Sequence, residues 1–104
     1  MVKHPHIVTL DGEWDIARRE ELQKLLEPSY ETPGEVILDL RTVTYADSTI
    51  LAGLIVARNR RRGKGYPVPR LVIGSRQLRR LFAIAGLDDA FPIYETLDEA
   101  VAEE

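Results

Sequence analysis

The 104-residue chain contains no cysteine. Disulfides and thiolate metal sites are therefore excluded, and the absence fits a reducing, cytoplasmic setting. No apolar stretch approaches the roughly 20 residues that cross a bilayer, so membrane insertion is not expected. The opening "MVKHPHIVTLDGEW" lacks the continuous apolar segment of a secretory signal. Histidine is scarce: His4 and His6 are the only two, both close to the N-terminus. A Ser–His–Asp relay needs a histidine held inside the fold by an orienting acid, and neither qualifies. A zinc site built from these two and a distant carboxylate is geometrically possible but nothing in the sequence supports it. No G-x-G-x-x-G occurs, and "GKG" (63–65) ends a helical stretch instead of opening one, so its helix dipole is wrong for phosphate. With no visible constellation of acid, base and nucleophile, no catalytic residue, metal ligand or cofactor is assigned, and the chain is not expected to be an enzyme.

The formal net charge is −3, with both signs mixed along the chain. Such a balance asks for neither nucleic acid nor an anionic membrane. The length suits one domain, spanning residues 1–104, which can bury roughly 65% of its unfolded surface without staples. The densest charge cluster, "RNRRRGKG" (58–65), reads as a solvated helix C-terminus, where cations favour the dipole. A nucleic-acid contact is disfavoured because no aromatics interleave with it; a patch for an acidic partner is the other alternative.

Apolar periodicity alternates along the chain. "HIVTL" (6–10) reads as a strand ending in a turn at "DG". Asp15 N-caps a helix with Ala17, Leu22, Leu25 and Leu26 as its stripe, stopped by Pro28 and "ETPG". "EVILDL" (35–40) is nearly continuous apolar, as in a strand covered on both faces, and "RTVTYAD" is its exit. A second helix runs from Ser48 to about Arg62 with Leu51, Leu54, Ile55 and Arg58 on one face. "PRLVIG" (69–74) is a third strand, Ser75 caps a helix ending at Gly86, and "AFPIY" (90–94) is a short edge strand. Thr96 and Glu99 form a capping box for a last helix, whose terminal Glu103 and Glu104 oppose the dipole and fray. The order predicts an α/β domain: a mainly parallel β-sheet of about four strands alternating with about four helices.

Asp47, Ser48 and Thr49 stand between the second strand and the second helix. One of them suffices as an N-cap, worth about 1 kcal/mol. Three polar residues in a row also suit phosphorylation. A hydroxyl at the strand-to-helix turn projects at the rim of the sheet, and a phosphate there meets free N–H groups and the positive dipole end. The fold would survive, while the surface gains roughly −1.5 to −2 charge units beside Asp47.

The segment "VILDLRTVTYADSTILAGL" resembles the signature of the bacterial anti-anti-sigma factors, the STAS domains, in which a strand leads into D-S-[ST]-G-L-G at a helix start. "DGEWD" (11–15) is similar to the family's G-E-L-D turn, and "SRQLRRLFAIAGL" to its segment S-x-x-(V/L)-x-R-L-F-x-x-(S/A)-G-L. The resemblance covers roughly residues 6–102. It implies a non-catalytic regulator, an anti-sigma factor antagonist. The unmodified protein binds an anti-sigma factor, often a serine kinase of the GHKL type, and frees a sigma factor. The kinase phosphorylates the serine after the motif aspartate, and a phosphatase reverses it. By position that serine is Ser48, flanked by Asp47 and Thr49, with Gly12, Glu13 and Asp15 in the turn near the switch. Ile50 and Ala52 replace the two motif glycines. Ile50 either narrows the partner set or anchors a different partner. Trp14 replaces an aliphatic residue of the turn and is either core or part of the partner face. The family's strand before "HIVTL" finds only a stub in "MVKHP". A weak homodimer is compatible with such a chain. The alternatives are a STAS scaffold module without a phosphoryl switch, in a signalling or lipid-transport assembly, and a small-ligand binder or enzyme on the same fold.

Overall fold

A computed structural model describes residues 4–102. Residues 1–3 of the expected N-terminal stub and the Glu103–Glu104 end expected to fray lie outside the described residues. The elements are β1 (His6–Trp14), a 3-10 turn (Ile16–Arg18), α1 (Arg19–Tyr30), β2 (Val36–Ala46), α2 (Ser48–Gly63), β3 (Arg70–Val72), α3 (Arg76–Ile84), β4 (Ile93–Tyr94) and α4 (Leu97–Ala102). The four strands form one sheet in the order β1-β2-β3-β4, and every neighbouring pair is parallel. The expected α/β architecture is what folds.

β2 explains its own composition. Val36, Leu38 and Leu40 join the large core with Leu22 and Leu26 of α1 and Leu54 and Ala57 of α2. Ile37 points the other way, onto Val72 and the Ala100 side of α4. Successive side chains of a strand face opposite sides, so a continuous apolar run is needed when both faces are covered. The helices pack closely: a Cβ built on Gly53 of α2 would stand 2.6 Å from Leu22 Cδ2 of α1.

Several boundaries differ from the sequence expectation. "DG" is not a turn, because β1 runs on to Trp14, and "RTVTYA" is not an exit, because β2 runs on to Ala46. The two second halves pair with each other. The partner offset is 30 at Thr9–Asp39, 31 at Asp11–Thr42 and 32 at Glu13–Tyr45, so β2 carries two extra residues as bulges. Gly12, at φ +81°, takes the left-handed backbone between the two irregularities. Pro28 does not stop α1, which ends at Tyr30. A proline in the final turn removes one helical hydrogen bond, and Pro28 O still accepts from the Glu31 amide and the Thr32 hydroxyl. Of the expected α1 stripe, Leu22 and Leu26 are buried while Ala17 and Leu25 are exposed. Ser75 caps α3, and Thr96 and Glu99 form their reciprocal box, as expected. Among the described residues no helix is long and apolar enough to cross a membrane.

The basic run is not wholly solvated. Arg61 is fully buried. Its Nε donates to Pro67 O at 2.8 Å, Nη1 to Ser29 O at 2.7 Å and Thr32 O at 2.6 Å, and Nη2 to Gly34 O at 2.5 Å. One guanidinium thereby ties α2 to the chain leaving α1 and to the approach to β3. Burial pulls its pKa below the ordinary arginine value, with Glu35 and then Tyr66 opposing.

Candidate functional site

The ends of β1 and β2 converge where α2 begins. Trp14 pairs with Ala46, and the next amide, Asp47 N, donates to Trp14 O at 3.3 Å. Asp47 is extended (φ −113°, ψ −164°), and its carboxylate accepts from the Thr49 amide at 2.8 Å. That contact is an N-cap. Ser48 is the first residue of the 16-residue α2 and is exposed. Among the described residues no hydrogen bond engages its hydroxyl. The cap is complete without Ser48, so the capping role and the exposed hydroxyl belong to different residues.

The other expected site residues divide into surface and core. Glu13 is exposed, Gly12, Asp15 and Thr49 are half-buried, and Asp15 caps the 3-10 turn through the Ala17 amide at 3.0 Å. Trp14, read as either core or partner face, and Ile50, a candidate partner contact, are 1% and 0% exposed and present no side-chain surface to a partner. Trp14 resolves to its core alternative. Ile50 faces inward from the first turn of α2, among the residues that cover the sheet.

Arg18 organises this end of the fold. Its guanidinium lies over the Trp14 ring at 3.6 Å and donates to Glu13 O at 2.6 Å. It also grips Glu21 through two hydrogen bonds, at 3.0 and 2.7 Å. The Glu21 carboxyl is held below its ordinary value by these bonds. An arginine four residues after a tryptophan is too common a pattern to have marked this role in the sequence.

Between α1 and α2 runs an open groove of about 670 Å³. Ser48, Thr49 and Ala52 line one wall, Ile16 and Arg19 the other. Ile16 is 71% exposed, and Tyr45, three residues before Ser48, is 53% exposed. The free hydroxyl is thus flanked by two large accessible side chains that sequence periodicity did not single out. Among the described residues no group of three or more His, Asp or Glu side chains is placed to hold a metal ion.

Comparison with known proteins bears on this arrangement. The profile of the STAS domain matches residues 1–100. A STAS-domain containing protein of Pseudomonas aeruginosa (strain UCBPP-PA14) is 27% identical over 86 residues, which are 83% of this chain and 84% of that protein. The crystal structure of an anti-sigma factor antagonist from Mycobacterium paratuberculosis superposes with a TM-score of 0.76 at 25% identity, covering 93% of this chain and 85% of that one. The unphosphorylated anti-sigma factor antagonist SpoIIAA gives 0.75 at 19% identity, over 97% and 89% of the two chains. A sulfate transporter family protein from Wolinella succinogenes gives 0.74 at 22% identity, over 93% and 81%, so the same fold also occurs in a transporter family. The chain described here belongs to the STAS domain family.

Proposed function

We propose that the chain is an anti-sigma factor antagonist switched by phosphorylation of Ser48. The observation that carries this is the division of labour at the head of α2: Asp47 caps the helix, and the adjacent Ser48 hydroxyl is exposed and unengaged among the described residues. Unmodified, the surface formed by Ser48, Thr49, Glu13 and the groove mouth receives an anti-sigma factor of the serine-kinase type, which then releases its sigma factor. The kinase transfers the γ-phosphoryl group of ATP to Ser48 Oγ; the hydroxyl proton leaves with the kinase's base, and ADP departs. A phosphatase restores the hydroxyl.

The physical consequence is local. The new charge of roughly −1.5 to −2 sits beside the Asp47 carboxylate and repels acidic or apolar groups docking over the turn. The first turn of α2 carries the positive end of a helix dipole, and Arg19 lines the same groove, so the fold tolerates the phosphate. SpoIIAA, an anti-sigma factor antagonist of the same fold, has been solved in unphosphorylated and phosphorylated forms. A second reading, a STAS module without a phosphoryl switch, is favoured by Ile50 and Ala52 at the positions of the motif glycines. Incubation with a GHKL-type anti-sigma kinase and ATP, followed by mass spectrometry, separates the two. Phosphate on Ser48, absent from Ser48→Ala, supports the switch; phosphate elsewhere or none supports the scaffold.

A further inference from the structure

We propose that the outward face of α3 is a docking surface for an acidic segment of a protein partner. The sequence of α3, "RQLRRLFAI", contains three arginines and no carboxylate. Arg76, Arg79 and Arg80 are all exposed, as are Ala83 and Ile84, and Ile84 is 75% exposed. At 3.6 residues per turn these five positions fall within roughly 140° of the helix circumference. Leu78 and Phe82, both buried, point the opposite way. The result is a cationic stripe with an accessible aliphatic residue at its C-terminal end.

The stripe is a local electrostatic liability in the isolated chain. Arg76 stands three and four residues from Arg79 and Arg80, where like charges repel. Elsewhere the surface supplies counter-ions: Arg18 meets Glu21, Arg41 meets Asp39, Lys64 meets Glu31 and Arg70 meets Glu35. None of the three α3 arginines has a carboxylate within ion-pair distance among the described residues. Three guanidinium groups in one row suit carboxylates, which they bind bidentately.

The chemistry favours a protein segment over other anions. A bilayer-binding helix needs a free apolar face, and that face of α3 is spent on the core through Leu78 and Phe82. The chain as a whole is net acidic, which disfavours a long polyanion such as RNA. Nine residues make a helix of about 13 Å, matching a short acidic stretch with one apolar side chain to meet Ile84. α3 also stands beside the end of β2, the strand that leads into α2. A cleft of about 220 Å³ between β2 and α3 is lined by Tyr45, Ser75 and Gln77, and Tyr45 lies three residues before Ser48. The stripe adds the partner's chemistry to the proposed function, and its link to Ser48 rests on that proposal: an acidic partner that covers both α3 and the head of α2 is repelled by a phosphate at Ser48.

The test is an amide-resolved NMR titration of the full 15N-labelled chain. The probes are a synthetic peptide of glutamate, aspartate and leucine, a single-stranded RNA of equal charge, and phosphatidylserine vesicles. The peptide is expected to shift amides of residues 76–84, and affinity should fall at least about tenfold between about 50 and 300 mM salt. Arg76→Gln/Arg79→Gln/Arg80→Gln, which keeps good helix formers and removes the like-charge repulsion, should lose that binding with a melting temperature no lower than the parent's. Arg76→Glu/Arg80→Glu should lose it as well. Shifts that map away from α3, wild-type binding by both variants, or tighter binding of RNA or vesicles would overturn the proposal. A chain made with phosphoserine at position 48 should bind the peptide more weakly. Equal affinity there removes the link to the switch and leaves the α3 surface standing, whereas silence of the unmodified chain removes the surface and leaves Ser48 phosphorylation untouched.

Discussion

The Asp47 carboxylate accepts the Thr49 amide at 2.8 Å across Ser48, so the residue between them is in the helix without holding its end. Asp47→Ala should therefore cost about 1 kcal/mol of stability, or roughly 4–8 °C in melting temperature. Ser48→Ala should stay within about 0.5 kcal/mol of the parent. Urea unfolding of the two variants measures both. A larger loss from Ser48→Ala than from Asp47→Ala would mean that the hydroxyl is structural.

Arg61 makes the strongest stability prediction. Its five-donor fork serves four backbone carbonyls, one in the last turn of α1, two in the α1–β2 loop and one in the α2–β3 loop, and a lysine ammonium cannot reach the same set in that geometry. Hydrogen bonds from a charged group are worth about 1.5–3 kcal/mol each, and orphaned buried carbonyls carry a desolvation penalty. Arg61→Leu should destabilise by about 3 kcal/mol or more, and Arg61→Lys by about 2 kcal/mol. Arg62→Lys, one residue on and exposed, should change little. Thermal melts of the three variants decide the matter.

Acid should act through Asp39. The residue is 5% exposed, and its carboxylate accepts from the Arg41 side chain at 2.9 and 2.8 Å and from the Arg41 amide at 3.1 Å. The side-chain hydrogen bonds from Arg41 hold its pKa below the ordinary aspartate value, against the opposing effect of burial. A carboxyl depressed in the folded state stabilises the fold above its unfolded value of about 3.9. That contribution is lost as pH falls through the lower folded value. Asp39→Asn should flatten the fall of melting temperature below about pH 4. An acid limb of undiminished steepness would assign the effect to other carboxylates.

The alternation of strands and helices, the Ser75 cap, a cap within Asp47–Thr49 and the Thr96–Glu99 box were legible in the sequence because each depends on near neighbours; Asp15 caps as expected, but the 3-10 turn and not α1. The length of β1 and β2 was not. "DGEW" and "RTVTYA" look like loops singly and become strands only because they pair with each other through two bulges. Arg61 was hidden for a similar reason: nothing within "RNRRR" separates it from its neighbours, and three of its four acceptors lie about 30 residues back, at Ser29, Thr32 and Gly34. The place of Ser48, exposed at the start of α2, was legible through its motif. Its flanking surface was only half so, since inward Trp14 and Ile50 and outward Ile16 and Tyr45 are sorted by tertiary packing.

The most direct measurement compares the chain carrying serine with the chain carrying phosphoserine at position 48, each titrated calorimetrically against a GHKL-type anti-sigma kinase that binds the unmodified form. The expected result is at least about a tenfold loss of affinity, a penalty of about 1.4 kcal/mol, with melting temperatures within about 2 °C of each other. Equal affinities, or a phosphorylated chain that unfolds, would contradict a switch that works through surface charge at the head of α2.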